Sequence, residues 1–397
     1  MDAATAAESN TTVVELQIWG EDAQERWVEM AQTSPVHPFG AGVIIAGAKS
    51  VDEVLHDPAR FSSNPRAIYL GSDTGLIPLQ VDPPDHVRYR KMLDPLFAPK
   101  KMLALEERVA ALVNRCIDGV IEQGRCDFSE TVAVPVPSGT FLELLGLPLS
   151  GLDHFLRLKD DMIRPAGATL EEQDARRGAA GREVFGLFGE ALDDRHRHSR
   201  DDLLSHFAAL EASGQLTRVE SLNICHLLLT AGLDTVTDTL ECSIAYLGRH
   251  PEHRQRLVAD PAIIPHAVEE LLRYESPVPM IARVAEADTE VGGCPVHRDA
   301  PVSVLVASFN LDDGVFPDPF TVDFDRNANG HIAFGAGVHR CLGSHLARME
   351  LRVVLREWHR RVPDYQLADG TVLMYSPALR EIRHLPLVFA PGSREAA

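Results

Sequence analysis

One glycine-rich stretch that carries a single cysteine and runs into a helix constrains this chain more than any other feature. The stretch reads HIAFGAGVHRCLG from His331 to Gly343, and helical periodicity continues from Ser344. Glycines allow tight backbone turns in which several amide groups converge on one atom. The partial positive charge of a helix N-terminus stabilises a thiolate. The stretch therefore predicts that Cys341 is a thiolate prepared to bind a metal, with Phe334 as a flat apolar contact.

The spacing of these residues matches a known pattern. Read as F-G-x-G-x-H-x-C-x-G, the stretch has every specified position filled and resembles the haem-binding loop of the cytochrome P-450 family, in which one cysteine thiolate is the axial iron ligand. The resemblance implies haem b (iron protoporphyrin IX) as the cofactor and Cys341 as the metal ligand. It also implies that the loop contacts the cofactor through Phe334, Gly335, His339 and Gly343. A buried cysteine in a glycine-rich turn is the alternative on this stretch alone.

Charge and cysteine usage exclude several functions. The 397 residues include 38 basic and 58 acidic side chains, a formal net charge of −20, which argues against a nucleic-acid partner held by a general electrostatic field. The six cysteines form no C-x-x-C pair and no metal-cluster spacing, which fits a reducing cytoplasm. The first residues lack the pattern of a signal peptide, and the most apolar long run, 224–233, is about half the length that spans a bilayer. We therefore expect a cytoplasmic protein without a membrane span.

Hydrophobic periodicity predicts a mainly α fold with a smaller β region, and the resemblance identifies it as the cytochrome P-450 fold. The longest helical pattern covers 217–247, and strand-like runs lie at 42–46, 289–291, 302–307 and 385–389. Runs that contain proline and glycine predict helix breaks at 135–139 and 147–151. We expect one haem domain over residues 13–390, between disordered ends at 1–12 and 391–397.

A glycine in the middle of the 217–247 helix marks a second motif. The sequence Ala231-Gly232-Leu233-Asp234-Thr235 places this glycine where it costs about 1 kcal/mol relative to alanine. The resemblance implies that this step opens a groove for dioxygen over the iron, with Asp234 and Thr235 as catalytic residues that relay protons. The alternative is a threonine hydroxyl bonded to the preceding turn, which is common in helices.

Basic side chains elsewhere match the contacts that the family makes to the haem propionates. His86 and Arg90 are four residues apart and hence share one face of a helix. The resemblance implies that these two residues, with Arg283 from a strand and His339 from the loop, bind the propionates. A solvated basic face is the alternative for the helix, and an exposed strand arginine is the alternative for Arg283.

Glu270 and Arg273 lie three residues apart on another predicted helix. As an isolated motif such a pair says little, because surface helices contain many of them. Its position ahead of Cys341 matches the E-x-x-R pair of the family, which braces the segment before the cysteine loop together with an arginine such as Arg326. We therefore predict a structural role for these three residues.

The resemblance implies a haem-thiolate monooxygenase that inserts one oxygen atom from O2 into a C–H bond of a small hydrophobic substrate, namely a terpenoid, a steroid or an aromatic compound. Segment 165–200 is a candidate lid over the substrate. The motifs are closest to the camphor-hydroxylating members, but Thr74 stands where those have the tyrosine that binds camphor, so another substrate is expected. The residues expected to line the mostly apolar pocket are Leu76, Ile77, Leu227, Thr230, Ala231, Val278 and Met280.

Electrons are expected from another protein, because nothing after Leu351 resembles a flavin or iron–sulfur module. The resemblance implies a ferredoxin with its NAD(P)H-dependent reductase, docked on the cysteine side at Arg340, Arg348, and Lys100 or Lys101. Two alternatives are a peroxygenase that uses hydrogen peroxide with the same haem and a non-catalytic haem sensor. The acid and alcohol at positions 234 and 235 favour the monooxygenase over the peroxygenase.

Overall fold

The structure, a computed structural model, describes residues 20–72, 74–375 and 379–395. The N-terminal segment 1–12, predicted to be disordered, lies outside the described residues. Part of the predicted C-terminal tail, 391–395, packs on the protein, since the Gly392 amide donates to the Ile121 carbonyl at 3.0 Å. Disorder at 396–397 and the extent of the single domain, 13–390, stay predictions.

Helices form most of the described chain, which confirms the predicted mainly α class. Their local signals are ordinary ones: the first helix buries Ala23, Trp27 and Met30 on one face, and Thr217 with Glu220 forms a complete capping box. None of the described helices has both the length and the apolar composition to cross a bilayer. The helices are α1 (Ala23–Thr33), α2 (Ala48–Leu55), α3 (Asp85–Leu93), α4 (Pro99–Leu103), α5 (Glu106–Asp118), α6 (Pro135–Leu145), α7 (Leu152–Ile163), α8 (Leu170–Arg197), α9 (Leu203–Ala212), α10 (Arg218–Gly232), α11 (Thr235–Arg249), α12 (Pro251–Ala259), α13 (Ile264–Glu275), α14 (Val306–Asn310) and α15 (Ser344–Arg361).

Three small sheets form the β region. The five-stranded sheet has the order β1-β2-β8-β5-β3, in which only β2 and β8 are parallel. The others are an antiparallel β4-β10-β9 sheet and the β6-β7 hairpin. The predicted strand 302–307 ends early because α14 begins at Val306. The strands are β1 (Val36–Phe39), β2 (Gly42–Ile45), β3 (Phe61–Ser62), β4 (Arg125–Asp127), β5 (Ile281–Ala285), β6 (Thr289–Val291), β7 (Cys294–Val296), β8 (Pro301–Val304), β9 (Tyr365–Leu367) and β10 (Pro386–Phe389).

The prediction of one continuous helix over 217–247 was wrong. Helix α10 ends at Gly232 and α11 begins at Thr235, so the helix is interrupted at the two residues between them. Glycine weakens a helix at this point, and a Cβ on Gly232 would lie 3.1 Å from the ring of Phe141, so the ring packs directly on the backbone. The interruption places the motif at a junction between two helices.

The predicted break at 135–139 was also wrong, because these residues form the beginning of α6. Pro135 is the first residue of the helix and Pro137 lies in the first turn. The first amide groups of a helix have no partner within it, so proline costs little there. The predicted break at 147–151 is confirmed, since α6 ends at Leu145 and α7 begins at Leu152.

The core consists of packed clusters that meet beside the cysteine loop. One cluster joins α5, α11, α13 and α15, and a second joins α3 with α6 to α10. Leu105 and Leu346 pack against both clusters. Because α15 is packed on α5 and α13, the loop that precedes α15 is held against the interior of the protein.

The three residues predicted to brace this loop lie together. The guanidinium of Arg273 donates to both carboxylate oxygens of Glu270 at 2.8 Å, and neither side chain is exposed. Arg326 donates to the same carboxylate at 3.1 Å. The remaining donors of Arg273 bind the carbonyl oxygens of Asn310 and Pro319. The pair therefore ties α13 to the irregular chain that leads toward Cys341.

Removal of one partner from this buried pair is expected to destabilise the fold strongly. Glu270→Ala leaves Arg273 as an uncompensated buried charge, so we expect a loss of about 3–5 kcal/mol in the free energy of unfolding, measured by urea denaturation. The matched control is Asp325→Ala, which breaks an exposed pair with Arg256 and should cost about 1 kcal/mol or less. Equal losses in the two variants would contradict the bracing role.

Candidate functional site

The cysteine loop is closed by backbone hydrogen bonds. The amide of Cys341 donates to the carbonyl of Phe334 at 2.8 Å, and that of Gly335 donates to Ile332 at 2.8 Å. Gly335 and Gly337 have φ of +69° and +65°, and a Cβ on Gly337 would lie 2.3 Å from a carbonyl oxygen. Glycine is thus required at these positions, and the loop presents the cysteine at one fixed place.

Cys341 is surrounded by protein and yet has an accessible surface. Its side chain therefore faces an interior space and not a packed core. Burial raises the pKa of the thiol, and this effect is opposed by the Gly343 amide, which donates to the sulfur. The positive charges of Arg90, Arg340 and Arg348 act in the same direction as that amide. Burial has the larger effect, so the pKa lies above that of a free cysteine. The amide and the cations are the groups that favour the thiolate form, which metal ligation requires.

Arg348 is not available as a free surface charge, contrary to its predicted place in a docking surface. Its guanidinium forms two hydrogen bonds of 2.7 Å with the carboxylate of Glu269 and lies 4.4 Å from the centre of the Phe334 ring. Its side chain is 18% exposed. The residue therefore supports the ring that the loop presents.

The residues predicted to bind propionates converge in a buried polar cluster. The rings of His86 and His339 are 4.4 Å apart, and Arg283 is 4% exposed. Asp82 lies 3.5 Å from His339. Burial raises the pKa of Asp82, but hydrogen bonds from His339 and neighbouring serines have a larger effect and lower it to about 2. Sequence reasoning missed Asp82. The only feature that marks this residue in the sequence is its position directly before Pro83 and Pro84.

These residues fit the carboxylate groups of haem. Burial lowers the pKa of Arg283 to about 10, although the negative charge of the nearby Asp82 opposes this effect. The one hydrogen bond described for the Arg283 side chain goes to the carbonyl of Ala282. His86 has a buried ring nitrogen without a partner. A guanidinium and an imidazole with unused donors suit carboxylate acceptors. Arg90 adds a second guanidinium, although its described bonds go to Asp94 and to the carbonyl of Arg340.

Asp234 is held by two cations that sequence reasoning did not identify. Its carboxylate accepts from Lys159 at 2.5 Å and lies 3.1 Å from Arg164. Both come from α7 or its end, far away along the chain. A sequence signal existed for Lys159, since it lies on the buried face of α7 with Phe155 and Met162. A lysine on such a face needs a buried anion.

The hydroxyl of Thr235 donates to the carbonyl of Ala231 at 3.2 Å. This is the back-bonded geometry that the sequence left open as an alternative. The hydroxyl oxygen keeps lone pairs that can accept a hydrogen bond, so the contact is compatible with a relay. Ala231 itself is exposed although it lies within α10, so this part of the helix faces open space. The catalytic roles of Asp234 and Thr235 stay predictions.

Further carboxyl groups lie behind Asp234. Asp238, one turn later on α11, is 1% exposed, and burial raises its pKa well above the usual value. Glu241 is also 1% exposed and accepts from the Ile382 amide at 2.8 Å. Glu381 lies 3.1 Å from Arg164. Sequence reasoning missed this group, because the acids come from α11 and a distant C-terminal segment.

The residues predicted to line the substrate pocket differ in exposure. Leu76 and Ile77 are almost fully buried, as are Leu227 and Thr230 on α10. The hydroxyl of Thr230 donates to backbone carbonyls, which leaves its methyl group as an apolar surface. Val278 and Met280 are half-buried, and Met280 packs against the cluster that contains Trp27. Their contact with substrate stays a prediction.

Two other predicted features have clear positions. Thr74 exchanges hydrogen bonds with the side chain of Asn223 on α10, and the shorter is 2.8 Å. The threonine is thus tied to the helix that carries the 231–235 motif. The candidate lid, 165–200, contains the helix α8, which packs on α7, α9 and α10. Whether it moves stays a prediction.

Comparison with known proteins gives one family. A model of the cytochrome P450 family matches residues 262–358. The chain is 36% identical to a probable cytochrome P450 127A1 of Sinorhizobium fredii, over 83% of this chain and 78% of the relative. It is 33% identical to the steroid C26-monooxygenase of Mycobacterium tuberculosis, over 93% and 94%. The structure of CYP109E1 from Bacillus megaterium in complex with testosterone is similar, with a TM-score of 0.86, 26% identity and coverage of 92% and 97%.

The buried acid Glu241 predicts a pH dependence of stability. Burial raises its pKa to about 8, above the ordinary value of 4.5. The folded protein therefore retains a proton that the unfolded chain releases above about pH 4.5, so this contribution to stability falls as the pH rises toward 8. Glu241→Gln should make the loss of unfolding free energy between pH 4.5 and 8 shallower, as measured by urea denaturation at several pH values. Glu107→Gln, at an exposed position of α5, is the control, and an unchanged slope in Glu241→Gln would refute the assignment.

Proposed function

From the premise that this chain belongs to the cytochrome P450 family, we propose which substrate it oxidises and how electrons and protons reach its haem. The general activity follows from the family: the chain is a haem-thiolate monooxygenase. Haem b supplies the iron at which O2 is activated so that one oxygen atom enters the substrate. The proposals concern the parts that this chain's own residues contribute.

The cofactor is proposed to bind between the cysteine loop and the 231–235 motif. Cys341 would be the iron ligand, supported by the Gly343 amide. Arg283 and His86, buried and with unused donors, would hold the propionates. The observation that carries this proposal is the accessible sulfur of Cys341 within a loop that two positive-φ glycines and the Cys341 amide hold in one shape.

Asp234 and Thr235 are proposed to deliver protons to the oxygen that is being reduced. The Thr235 hydroxyl donates to the Ala231 carbonyl. The lone pairs of this hydroxyl would accept a hydrogen bond from a water beside the oxygen that is being reduced. The Asp234 carboxylate would leave the hydrogen bond with Lys159, take up a proton from the solvent side and pass that proton on. A buried acid within one residue of that hydroxyl is suited to general acid catalysis.

A steroid is proposed as the substrate class. Two similar proteins support this choice, since one is named a steroid C26-monooxygenase and the other was solved with testosterone. The predicted pocket residues are mostly apolar, and the hydroxyl of Thr230 is already bonded to its own helix. An apolar pocket with few polar groups suits a flat hydrocarbon skeleton.

A spectral titration tests the substrate class. Testosterone should displace the water on the haem iron and shift the absorption to the high-spin form, whereas myristic acid and camphor should act weakly. Ala231→Phe should abolish the shift by filling the exposed space beside α10, while Val258→Phe on α12 should leave it unchanged. A shift by camphor but not by any steroid would overturn the proposed class. Product formation that needs peroxide and not ferredoxin would favour the peroxygenase alternative.

A ferredoxin is the proposed electron donor, and its docking surface is proposed to be the exposed basic group Lys100, Lys101 and Arg340. Lys100 and Lys101 lie on α4, which packs on α15, the helix that follows the cysteine loop. Arg90 on α3 donates to the carbonyl of Arg340 at 2.7 Å, so Arg340 lies beside α3, the helix that precedes α4 in the chain. The exposed side chain of Leu103 adds an apolar contact. In a chain of net charge −20, this local group can direct an acidic partner.

Charge reversal tests the docking surface. The triple variant Lys100→Glu, Lys101→Glu and Arg340→Glu should slow reduction by a [2Fe–2S] ferredoxin about tenfold at low salt, because electrostatic attraction increases association rates. The difference should shrink at high salt, and the testosterone titration should not change. Arg298→Glu, exposed on the β6-β7 side, is the control. Reduction at the wild-type rate would rule out this surface.

A further inference from the structure

A group of five carboxyl side chains surrounds Lys159 and Arg164 next to the 231–235 motif. Lys159 contacts Asp160 and Asp234, and Arg164 contacts both of these and also Glu381, which in turn lies near the exposed Arg383. Asp160 is exposed, whereas Asp238 and Glu241 lie deeper and are each 1% exposed. No cation pairs with these two deeper acids among the described residues, and buried unpaired negative charges are costly, so some of these carboxyl groups hold protons.

Asp238 is the member placed directly behind Asp234. It lies one helical turn later on α11, and its amide donates to the carbonyl of Asp234 at 2.8 Å. Residues four apart share one face of a helix. One carboxyl oxygen of Asp238 is buried without a hydrogen-bond or ion-pair partner, whereas Asp234 and Glu381 each place an oxygen 3.1 Å from the guanidinium of Arg164. A buried carboxyl oxygen that has no partner can take part in the transfer of a proton to a neighbouring acid or water.

The proton content of Asp238 follows from its surroundings. Burial and the negative charges of Asp234, Glu241 and Glu381 raise its pKa well above 3.8. No basic side chain among the described residues forms an ion pair with it. Asp234, by contrast, has both Lys159 and Arg164 as partners. The pair therefore combines an acid that has two cationic partners with an acid that has none, on the same helix face.

We propose that Asp238 stores the proton that reloads Asp234 during oxygen activation, with Glu381 as the connection to solvent. This inference rests on the proposed relay through Asp234 and Thr235. Asp238 touches no reacting atom and is a positioning residue for the proton. Glu381 suits the outer position because its side chain is 11% exposed and its partner Arg383 is 61% exposed.

The transfer conserves atoms and charge. When Asp234 has given up a proton, the O–H bond of the Asp238 carboxylic acid breaks and a new O–H bond forms on the Asp234 carboxylate. Asp238 becomes a carboxylate and takes a proton from Glu381, which has first taken one up from solvent, or from a water beside it. Arg164 contacts both Asp234 and Glu381, so it lies beside the negative charge before and after that charge is on Asp238. No electron moves in this step.

The test uses the haem-loaded full chain with NAD(P)H, a [2Fe–2S] ferredoxin, its reductase and testosterone as the probe. Asp238→Asn keeps the shape and neutrality of the protonated acid but cannot release a proton. It should lower O2-dependent turnover about tenfold, less than a direct acid catalyst contributes, and should increase the solvent deuterium isotope effect. Glu381→Gln should change both in the same direction. A purely structural role of Asp238 would not alter the isotope effect.

Matched variants separate this inference from the relay on which it rests. Asp153→Asn removes an exposed acid at the start of the same helix, α7, which is outside the group of five, and should behave like the wild type. Asp234→Asn should lower turnover about 100-fold. Impaired Asp234→Asn together with wild-type turnover and isotope effect in both Asp238→Asn and Glu381→Gln would overturn the inference and leave the relay intact. Wild-type behaviour of Asp234→Asn would refute the relay itself.

Infrared spectroscopy gives a readout that needs no substrate. The wild-type protein at neutral pH should show the carbonyl stretch of a protonated carboxyl group that shifts in D2O and is absent from Asp238→Asn. Glu241→Gln identifies the separate band of the neighbouring acid. If Asp238→Asn removes no such band, Asp238 is ionised and the inference fails.

Discussion

The buried ion pair of Glu270 and Arg273 connects α13 with the chain that leads to the cysteine loop. Arg273 donates to the Glu270 carboxylate, to the carbonyl of Asn310 at the end of α14, and to the carbonyl of Pro319 in the chain that follows. The last carbonyls of a helix and those of a loop have no partner in regular structure, and unpaired buried polar groups are costly. One guanidinium therefore satisfies carbonyls that secondary structure leaves unpaired. The cysteine loop follows this segment in the chain, so the position of the segment helps to fix the position of the loop.

Two polar clusters of the described chain face the same physical problem with opposite charge. Near the cysteine loop, Arg283 and two histidines are buried with Asp82 as the carboxylate among them, so donors are in excess. Near the 231–235 motif, acids outnumber cations, and burial raises the pKa of Asp238 and Glu241. Burying charge is expensive in both places. The proposed haem propionates would reduce the cost in the first cluster, and bound protons would reduce it in the second.

Sequence reasoning succeeded where a function is encoded within a short stretch. The loop from Phe334 to Gly343 needs glycine at fixed positions, so its shape can be read from spacing. Glu270 and Arg273 are one turn apart on a helix. The family relation and the fold class were confirmed for the same reason, since these motifs are specific. Sequence reasoning failed for Arg348, which was predicted to be a charge on the docking surface. Its guanidinium is paired with the carboxylate of Glu269 on another helix, and the sequence does not reveal that contact.

The sequence by itself determined the cysteine loop, the brace ahead of it and the presence of an acid beside an alcohol at positions 234 and 235. Local geometry decides these features, since each depends on residues a few positions apart. Only the tertiary structure decided which charges surround Asp234, because Lys159, Arg164 and Glu381 reach it from elements distant along the chain. It also decided that the long helix is interrupted at Gly232, where the ring of Phe141 packs against the backbone. Burial and long-range pairing arise from packing, and no periodicity in the sequence records them.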